Sequence, residues 1–187
     1  MAATDIPLSV DVETGYGHSK ESIYSNIKRL AEAGVAGINI EDSAIQEKGR
    51  TLKDAEPFAV LIEFIKSSLQ ADQLNLFINI RCDTYILNVK DKRKETARRL
   101  KIYSSTGADG IFLPCISIED DIADALQNTQ LPLNVMCIPG LPSFDILNKL
   151  GVKRVSMGPF LFQKLYNEIG NLSDRVLTEQ NFSSILS

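Results

Sequence analysis

Residues 8–16 read LSVDVETGY. Leu8 and Val10, with Val12 following, open as an apolar strand, and Asp11 and Glu13 fall at alternate positions in it. Alternation on a strand predicts both carboxylates on one face. Two acids so placed repel one another unless a cation or a shared proton lies between them. The run breaks at Gly15 and Gly17, around Tyr16. A strand that ends in acids and a Gly-Tyr-Gly turn reads either as a binding site or as a strand end with solvated carboxylates.

Working outward, the same punctuation recurs. Residues 35–40 (VAGINI) form a short apolar run followed by Glu41 and Asp42, and residues 74–80 (LNLFINI) are followed by Arg81-Cys82-Asp83. Residues 110–113 run into Pro114-Cys115, residues 133–137 contain Asn134, and residues 152–157 make a sixth strand. Helical spacing of apolar residues fills the intervals. It covers residues 19–33 with Ser19 as N-cap and Gly34 as stop, then 57–69, 93–103, 118–127 with Ser117 as cap, 143–150 and 159–168, with one more short helix in 174–186. Residues 43–56 (SAIQEKGRTLKDAE) are polar without firm periodicity and read as a loop, of a length often found in lids.

One joint is used three times: AEAGVAGINIED (31–42), SSTGADGIFLPC (104–115) and NKLGVKRVSMGP (148–159) each join a helix end, a glycine and an apolar strand. Alternating strands and helices imply a parallel sheet with helices packed outside it. No glycine-rich phosphate turn follows any strand, and polar residues sit at nearly every strand end. A (β/α)8 barrel gathers strand ends around one mouth and builds its site there, so the TIM-barrel type is favoured over an open sheet. Such a barrel has eight units and typically about 250 residues. Residues 1–187 supply six units, read as a single partial barrel domain. Six strands do not close with the usual tilt and shear, so the first and last strands are expected to be bare edges open to association.

Composition narrows the function classes. A net charge of −4 with no basic stripe gives no footprint for nucleic acid. The basic run 90–99 (KDKRKETARR) reads as the solvated face of a helix. No apolar stretch is long enough to span a membrane, and residues 1–10 lack a secretory pattern. The three cysteines, Cys82, Cys115 and Cys137, match no zinc spacing. They read as reduced, mostly buried thiols, and the localisation expected is cytoplasmic. With His18 the only histidine, a histidine-rich metal site is excluded.

VDVETGYG, GVAGINIEDS, INIRCDTY, GADGIFLPC and PLNVMCIPGLPS…LGVKRVSMGP together resemble the isocitrate lyase and phosphoenolpyruvate mutase superfamily, in order, over about residues 6–164. The short bacterial carboxyvinyl-carboxyphosphonate phosphorylmutase-like members are the nearest in pattern. The resemblance implies a (β/α)8 barrel lacking here its first two βα units, and a homo-oligomer, dimer or tetramer, with an exchanged terminal helix. It also implies lyase, phosphonomutase or hydrolase chemistry on small anionic 2-oxo acids through an enolate held by Mg²⁺. Mg²⁺ takes oxygen ligands and keeps waters, which suits carboxylates. By resemblance Asp11 and Glu13 are metal ligands, with Glu13 standing for the second Asp of the family's DxD, and Glu41 supports the metal's water shell. Arg81 grips the substrate's carboxylate or phosphonate, Asn134 reaches the substrate from its strand, and Gly15 and Tyr16 line the substrate side. Asp83 is placed to orient Arg81. The lid carries no Cys or His, so the thiol acid of isocitrate-cleaving members is absent; Lys48 and Arg50 could instead close over an anion. The rival reading is a non-catalytic barrel remnant serving as an oligomerisation or binding module.

Overall fold

The structure, a computed structural model, describes residues 5–47 and 49–186. The chain divides into two compact units, Met1–Val155 and Ser156–Ser187.

The first unit is built on a curled parallel sheet. Its strands are β1 (Ser9–Asp11), β2 (Gly37–Glu41), β5 (Phe77–Arg81), β6 (Gly110–Leu113), β7 (Leu133–Met136) and β8 (Arg154–Ser156), in that spatial order. The segment between β2 and β5 holds two further strands, β3 (Ser43–Gln46) and β4 (Gly49–Leu52), paired antiparallel as a hairpin. The helices between strands are α1 (Lys20–Glu32), α2 (Ala55–Ala71), α3 (Lys92–Tyr103), α4 (Glu119–Gln127) and α5 (Phe144–Leu150). This is the half-barrel arrangement of the TIM-barrel type, with six of eight strands, and its edge strands are β1 and β8 as expected.

Strand alternation divides the sheet into two faces. Ile38, Ile40, Ile78, Ile80, Ile111, Leu113, Leu133 and Val135 are fully buried against the helices, where they meet Ile27, Ile62, Ile65, Leu100 and Ile122. Complete burial of such side chains contributes about 1.5–3 kcal/mol each before entropy is counted. The opposite face is polar. Register places Asn39 beside Asn79 and Asn79 beside Gly110, and Glu41, Arg81, Phe112 and Asn134 form the next row toward the strand ends. Asn79 donates to Asn39 Oδ1 at 2.9 Å. A Cβ on Gly110 would meet the Asn79 Oδ1 at 2.9 Å, so the glycine makes room for that amide.

Several local expectations change. The segment 43–56 is a hairpin running into α2, because SAIQ and GRTL pair antiparallel with Gln46 opposite Gly49, whose φ is +113°. Helix α2 begins at Ala55, two residues before Pro57. Ser19 does cap α1, in a reciprocal pair with Ser22, but Ser117 does not cap α4, whose N-cap is Ile118. The thiols are not uniformly buried: Cys82 is buried, Cys115 half-buried and Cys137 exposed, and all three are free.

The second unit is helical. Where two helices with a break were expected, one helix, α6 (Phe160–Glu179), runs through Gly170, and α7 (Ser183–Leu186) follows. Ile169, Leu172, Val176, Leu177, Phe182 and Ile185 line an apolar groove of this unit. Among the described residues no helix is long and apolar enough to cross a membrane.

Candidate active site

The site lies at the C-terminal ends of β1, β2 and β5. Arg81 closes β5 and is 16% exposed at its side chain. Its Nε donates to Asp83 Oδ1 at 2.7 Å, and its Nη1 lies 3.2 Å from Glu41 Oε2 and 3.8 Å from Asp11 Oδ2. One guanidinium thus gathers three of the acids singled out in the sequence, and Asp83 does orient Arg81 as anticipated. Burial opposes the Arg81 charge, but Asp83, Glu41 and Asp11 outweigh it and hold its pKa above the usual value.

Glu41 ends β2 with only 2% of its side chain exposed. Its Oε1 accepts from Arg50 Nη1, which the hairpin carries inward. Its Oε2 is buried and has no hydrogen-bond partner among the described residues. Burial pushes the Glu41 carboxyl up, and the Arg50 hydrogen bond and the Arg81 charge only partly offset that. Arg50 Nη1 also donates to Ser43 Oγ at 2.9 Å and lies 3.4 Å from Asp83 Oδ2. Ser43 in turn donates to Asp83 Oδ2 at 2.5 Å. Lys48, the other lid cation considered, lies outside the described residues.

Behind this group stands a second buried set. Asp42 accepts from Arg99 Nη1 at 2.9 Å, Tyr103 Oη at 2.7 Å and the Asp83 backbone N–H at 2.9 Å. Arg99 is 4% exposed, so the basic run 90–99 is not wholly a solvated face. Its last arginine faces inward because a buried carboxylate needs a partner. Burial pushes Asp42 up, while the Asp83 N–H and Arg99 pull it down. The Arg99–Tyr103–Asp42 set fixes the backbone of Asp83, and Asp83 fixes Arg81. Sequence spacing missed it; the only signal was an acid doublet, Glu41-Asp42, whose members must face opposite sides of one strand end.

The first turn behaves differently from the alternation argument. β1 ends at Asp11, and Glu13 sits in a turn with φ +48°, so the two are not strand-alternate. Glu13 keeps a ladder bond, its C=O accepting from the Glu41 N–H at 2.8 Å. Its N–H donates to Asp11 Oδ1 at 2.9 Å. Its carboxylate makes no ion pair among the described residues. Gly15 has φ +96°, and a Cβ there would lie 2.5 Å from Ile23 Cγ2. Tyr16 is 65% exposed, and both it and Gly15 are tied to α1 by Asn26 Nδ2. Burial and then the charges of Glu13, Asp11 and Glu41 push the Tyr16 hydroxyl up.

Asn134 shares the Glu41–Arg81 row and is 3% exposed; with its amide turned so that both groups are satisfied, its nitrogen donates to the carbonyls of Val135 and Arg154 at 3.2 and 3.1 Å. Cys115, with φ +64°, lies at the end of β6 beside the site, its thiol pushed up by burial.

The model of the family described as phosphoenolpyruvate phosphomutase matches residues 1–177. The chain belongs to that family. Its members fall in the phosphoenolpyruvate mutase and isocitrate lyase superfamily, which acts on small oxo acids through phosphonomutases, hydrolases and lyases. The chain is similar to an uncharacterized protein of Mycobacterium tuberculosis, 36% identical over 162 residues, covering 84% of this chain and 58% of the relative. It is 29% identical over 152 residues to oxaloacetate decarboxylase 1 of Pseudomonas fluorescens, covering 79% of this chain and 51% of that one. A solved protein of Burkholderia cenocepacia superposes with a TM-score of 0.88 at 28% identity, over 100% of this chain and 67% of its own. The chain therefore spans little more than half the length of these curated relatives.

Superfamily members use a divalent metal, and the residues here fit one. Glu41 Oε2 is a buried oxygen without a hydrogen bond, and Asp11, 46% exposed at its side chain, faces the same Arg81 Nη1. The donors are all oxygen. Among the described residues no three acids, histidines or cysteines form a group that could hold a metal ion on protein ligands alone.

Proposed function

We propose that this phosphoenolpyruvate phosphomutase family member is a Mg²⁺-dependent enzyme that makes or breaks a C–C or P–C bond in a small 2-oxo acid. The observation that carries the reading is the convergence of Asp11, Glu41 and Arg81 at three adjacent strand ends. Asp11 and Glu41 would hold the ion. A divalent cation held there would supply stabilisation of the negative charge that develops on the substrate's 2-oxo oxygen.

The protein's own groups divide the remaining work. Arg81 is held at Nε by Asp83 and faces Glu41 and Asp11 with Nη1, which leaves Nη2 to take a substrate carboxylate oxygen. Because Asp83 and Asp42 fix it beforehand, little side-chain entropy is lost on binding. The β3–β4 hairpin covers Glu41 and keeps bulk water from its carboxylate, which strengthens every charge interaction in the site. The lid lacks Cys and His, so an acid for isocitrate-type cleavage is missing from it, and decarboxylation or P–C cleavage suits these residues better. The exposed apolar side chains of α6, among them Phe160, Leu161, Phe162 and Leu165, support self-association, which size-exclusion with light scattering tests.

The experiment is turnover of oxaloacetate, phosphonopyruvate and 2-methylisocitrate with Mg²⁺, with and without EDTA. Activity on one of the first two that EDTA abolishes is expected. Turnover indifferent to EDTA, or no turnover of any of the three, would overturn the reading.

A further inference from the structure

Register brings two of the free thiols to neighbouring strand ends. β6 and β7 are paired, and the last residues in their register are Leu113 and Val135. Two residues further along each chain stands a cysteine, Cys115 past β6 and Cys137 past β7. Neighbouring parallel strands lie about 4.8 Å apart, and a disulfide joins residues whose Cα atoms are about 4.4–6.8 Å apart. Equal offsets from one register pair thus set the two cysteines at adjoining ends, with a strand spacing inside the span that a disulfide covers.

These two differ from the third thiol. Cys82 is fully buried, with its Sγ 3.7 Å from Thr84 Oγ1. Cys115 is half-buried and Cys137 exposed, so an oxidant in solution reaches the pair and not Cys82. Cys115 also holds a backbone conformation that side chains rarely adopt, φ +64°. That left-handed twist breaks the alternation that would send its side chain back among the helices with Leu113. Backbone strain of this kind concentrates at functional sites.

We propose that Cys115 and Cys137 are a redox modification site: they join in a reversible disulfide when the chain meets a hydroperoxide. The exposed Cys137 thiolate attacks the O–O bond. Its sulfur keeps one oxygen as a sulfenic acid, and the other leaves as water or an alcohol. The Cys115 thiolate then attacks that sulfur; the S–S bond forms, the S–O bond breaks, and hydroxide leaves as water with the proton from Cys115. The two thiols lose two electrons in all, and the peroxide gains them. Burial holds the Cys115 thiol up against the pull of the Arg81 charge, which suits it to the second step, where its target is tethered beside it. The bond ties the β6–α4 connection to the β7–α5 connection just beyond the row of Glu41, Arg81, Phe112 and Asn134. It does not depend on the reaction proposed above.

The test is peptide mapping of the full chain after brief exposure to a small excess of hydrogen peroxide, with the remaining thiols blocked by N-ethylmaleimide in denaturant. No lysine or arginine lies between residues 102 and 148, so trypsin leaves both cysteines in one peptide, and cleavage after Glu119 separates them. The expected map shows the two peptides joined through Cys115 and Cys137, Cys82 blocked as a free thiol, and the joined pair lost on adding a thiol reductant. The rate of joining per chain should stay within about twofold over a tenfold dilution of protein, because a bond within one chain is unimolecular. Cys115→Ser should abolish the joined pair and leave a sulfenic acid on Cys137 that dimedone traps. If that variant does not fold, the wild-type map decides alone. Joining of Cys137 to Cys137 between chains, at a rate that falls with dilution, overturns the proposal. Oxygenation of either thiol with no bond between them overturns it, as do three free thiols under peroxide that oxidises free cysteine.

Discussion

Asp83→Asn tests whether one buried carboxylate holds the site together. Asp83 is fully buried and accepts from Arg81 Nε at 2.7 Å and Ser43 Oγ at 2.5 Å, with Arg50 Nη1 at 3.4 Å. Asparagine keeps the shape, loses the charge and turns one acceptor into a donor. With the amide oxygen toward Arg81, the amide nitrogen meets Ser43 Oγ, which can accept, and Arg50 Nη1, which cannot. Breaking a buried pair by deleting one partner costs about 3–5 kcal/mol. Here Arg81 retains Glu41 and Asp11, and Arg50 retains Glu41, so a loss near the low end, about 3 kcal/mol, is expected. For a chain of this size that corresponds to a fall in Tm of about 6–12 °C. Urea denaturation followed by circular dichroism measures the first and a thermal scan the second. Because Asp83 also aims Arg81, KM for the oxo acid should rise. A variant with stability within about 0.5 kcal/mol of wild type and an unchanged KM would refute the reasoning.

Tyr103→Phe deletes the hydroxyl that donates to Asp42 at 2.7 Å and accepts from Arg99 at 3.0 Å. About 1.5–3 kcal/mol of stability should be lost in urea denaturation; no change would mean the buried set does not tension Asp83. Gly15→Ala puts a Cβ 2.5 Å from Ile23 Cγ2 at φ +96°; strain and overpacking predict a loss of about 2–4 kcal/mol by the same assay. Burial raises the Glu41 carboxyl in the folded protein, and the Arg50 hydrogen bond is the largest influence pulling it down. A raised folded pKa contributes stability present below the unfolded Glu value, about 4.3, and lost as pH rises through the folded value. Arg50→Ala should raise that pKa further, so the variant should be less stable than wild type by more at pH 7 than at pH 4; equal differences at the two pH values would contradict the assignment.

Much of the fold was legible because its signals are local. The thrice-used glycine joint places strands at 35–40, 110–113 and 152–157, close to the 37–41, 110–113 and 154–156 where they lie. The strand-end acids and Arg81 were legible for the same reason: alternation from buried isoleucines forces Glu41 and Arg81 to the polar face. What failed depended on distant partners or on backbone twist. Glu13 departs from alternation because its φ is positive, which no neighbour announces. Residues 43–56 looked like loop because a two-strand hairpin over a site buries little apolar surface and so shows little hydrophobic pattern. Arg99 sat in a basic run, and only the position of Asp42, 57 residues earlier, makes it a core residue.

The central claim, an oxygen-only cation site anchored by Asp11 and Glu41, is tested most directly by Mn²⁺ binding to the full chain, read by electron paramagnetic resonance for wild type and Asp11→Ala. One bound ion per chain, competed by Mg²⁺ and weakened about tenfold or more in the variant, is the outcome expected from loss of a charged ligand. No bound ion in wild type, or equal binding by both proteins, would contradict it.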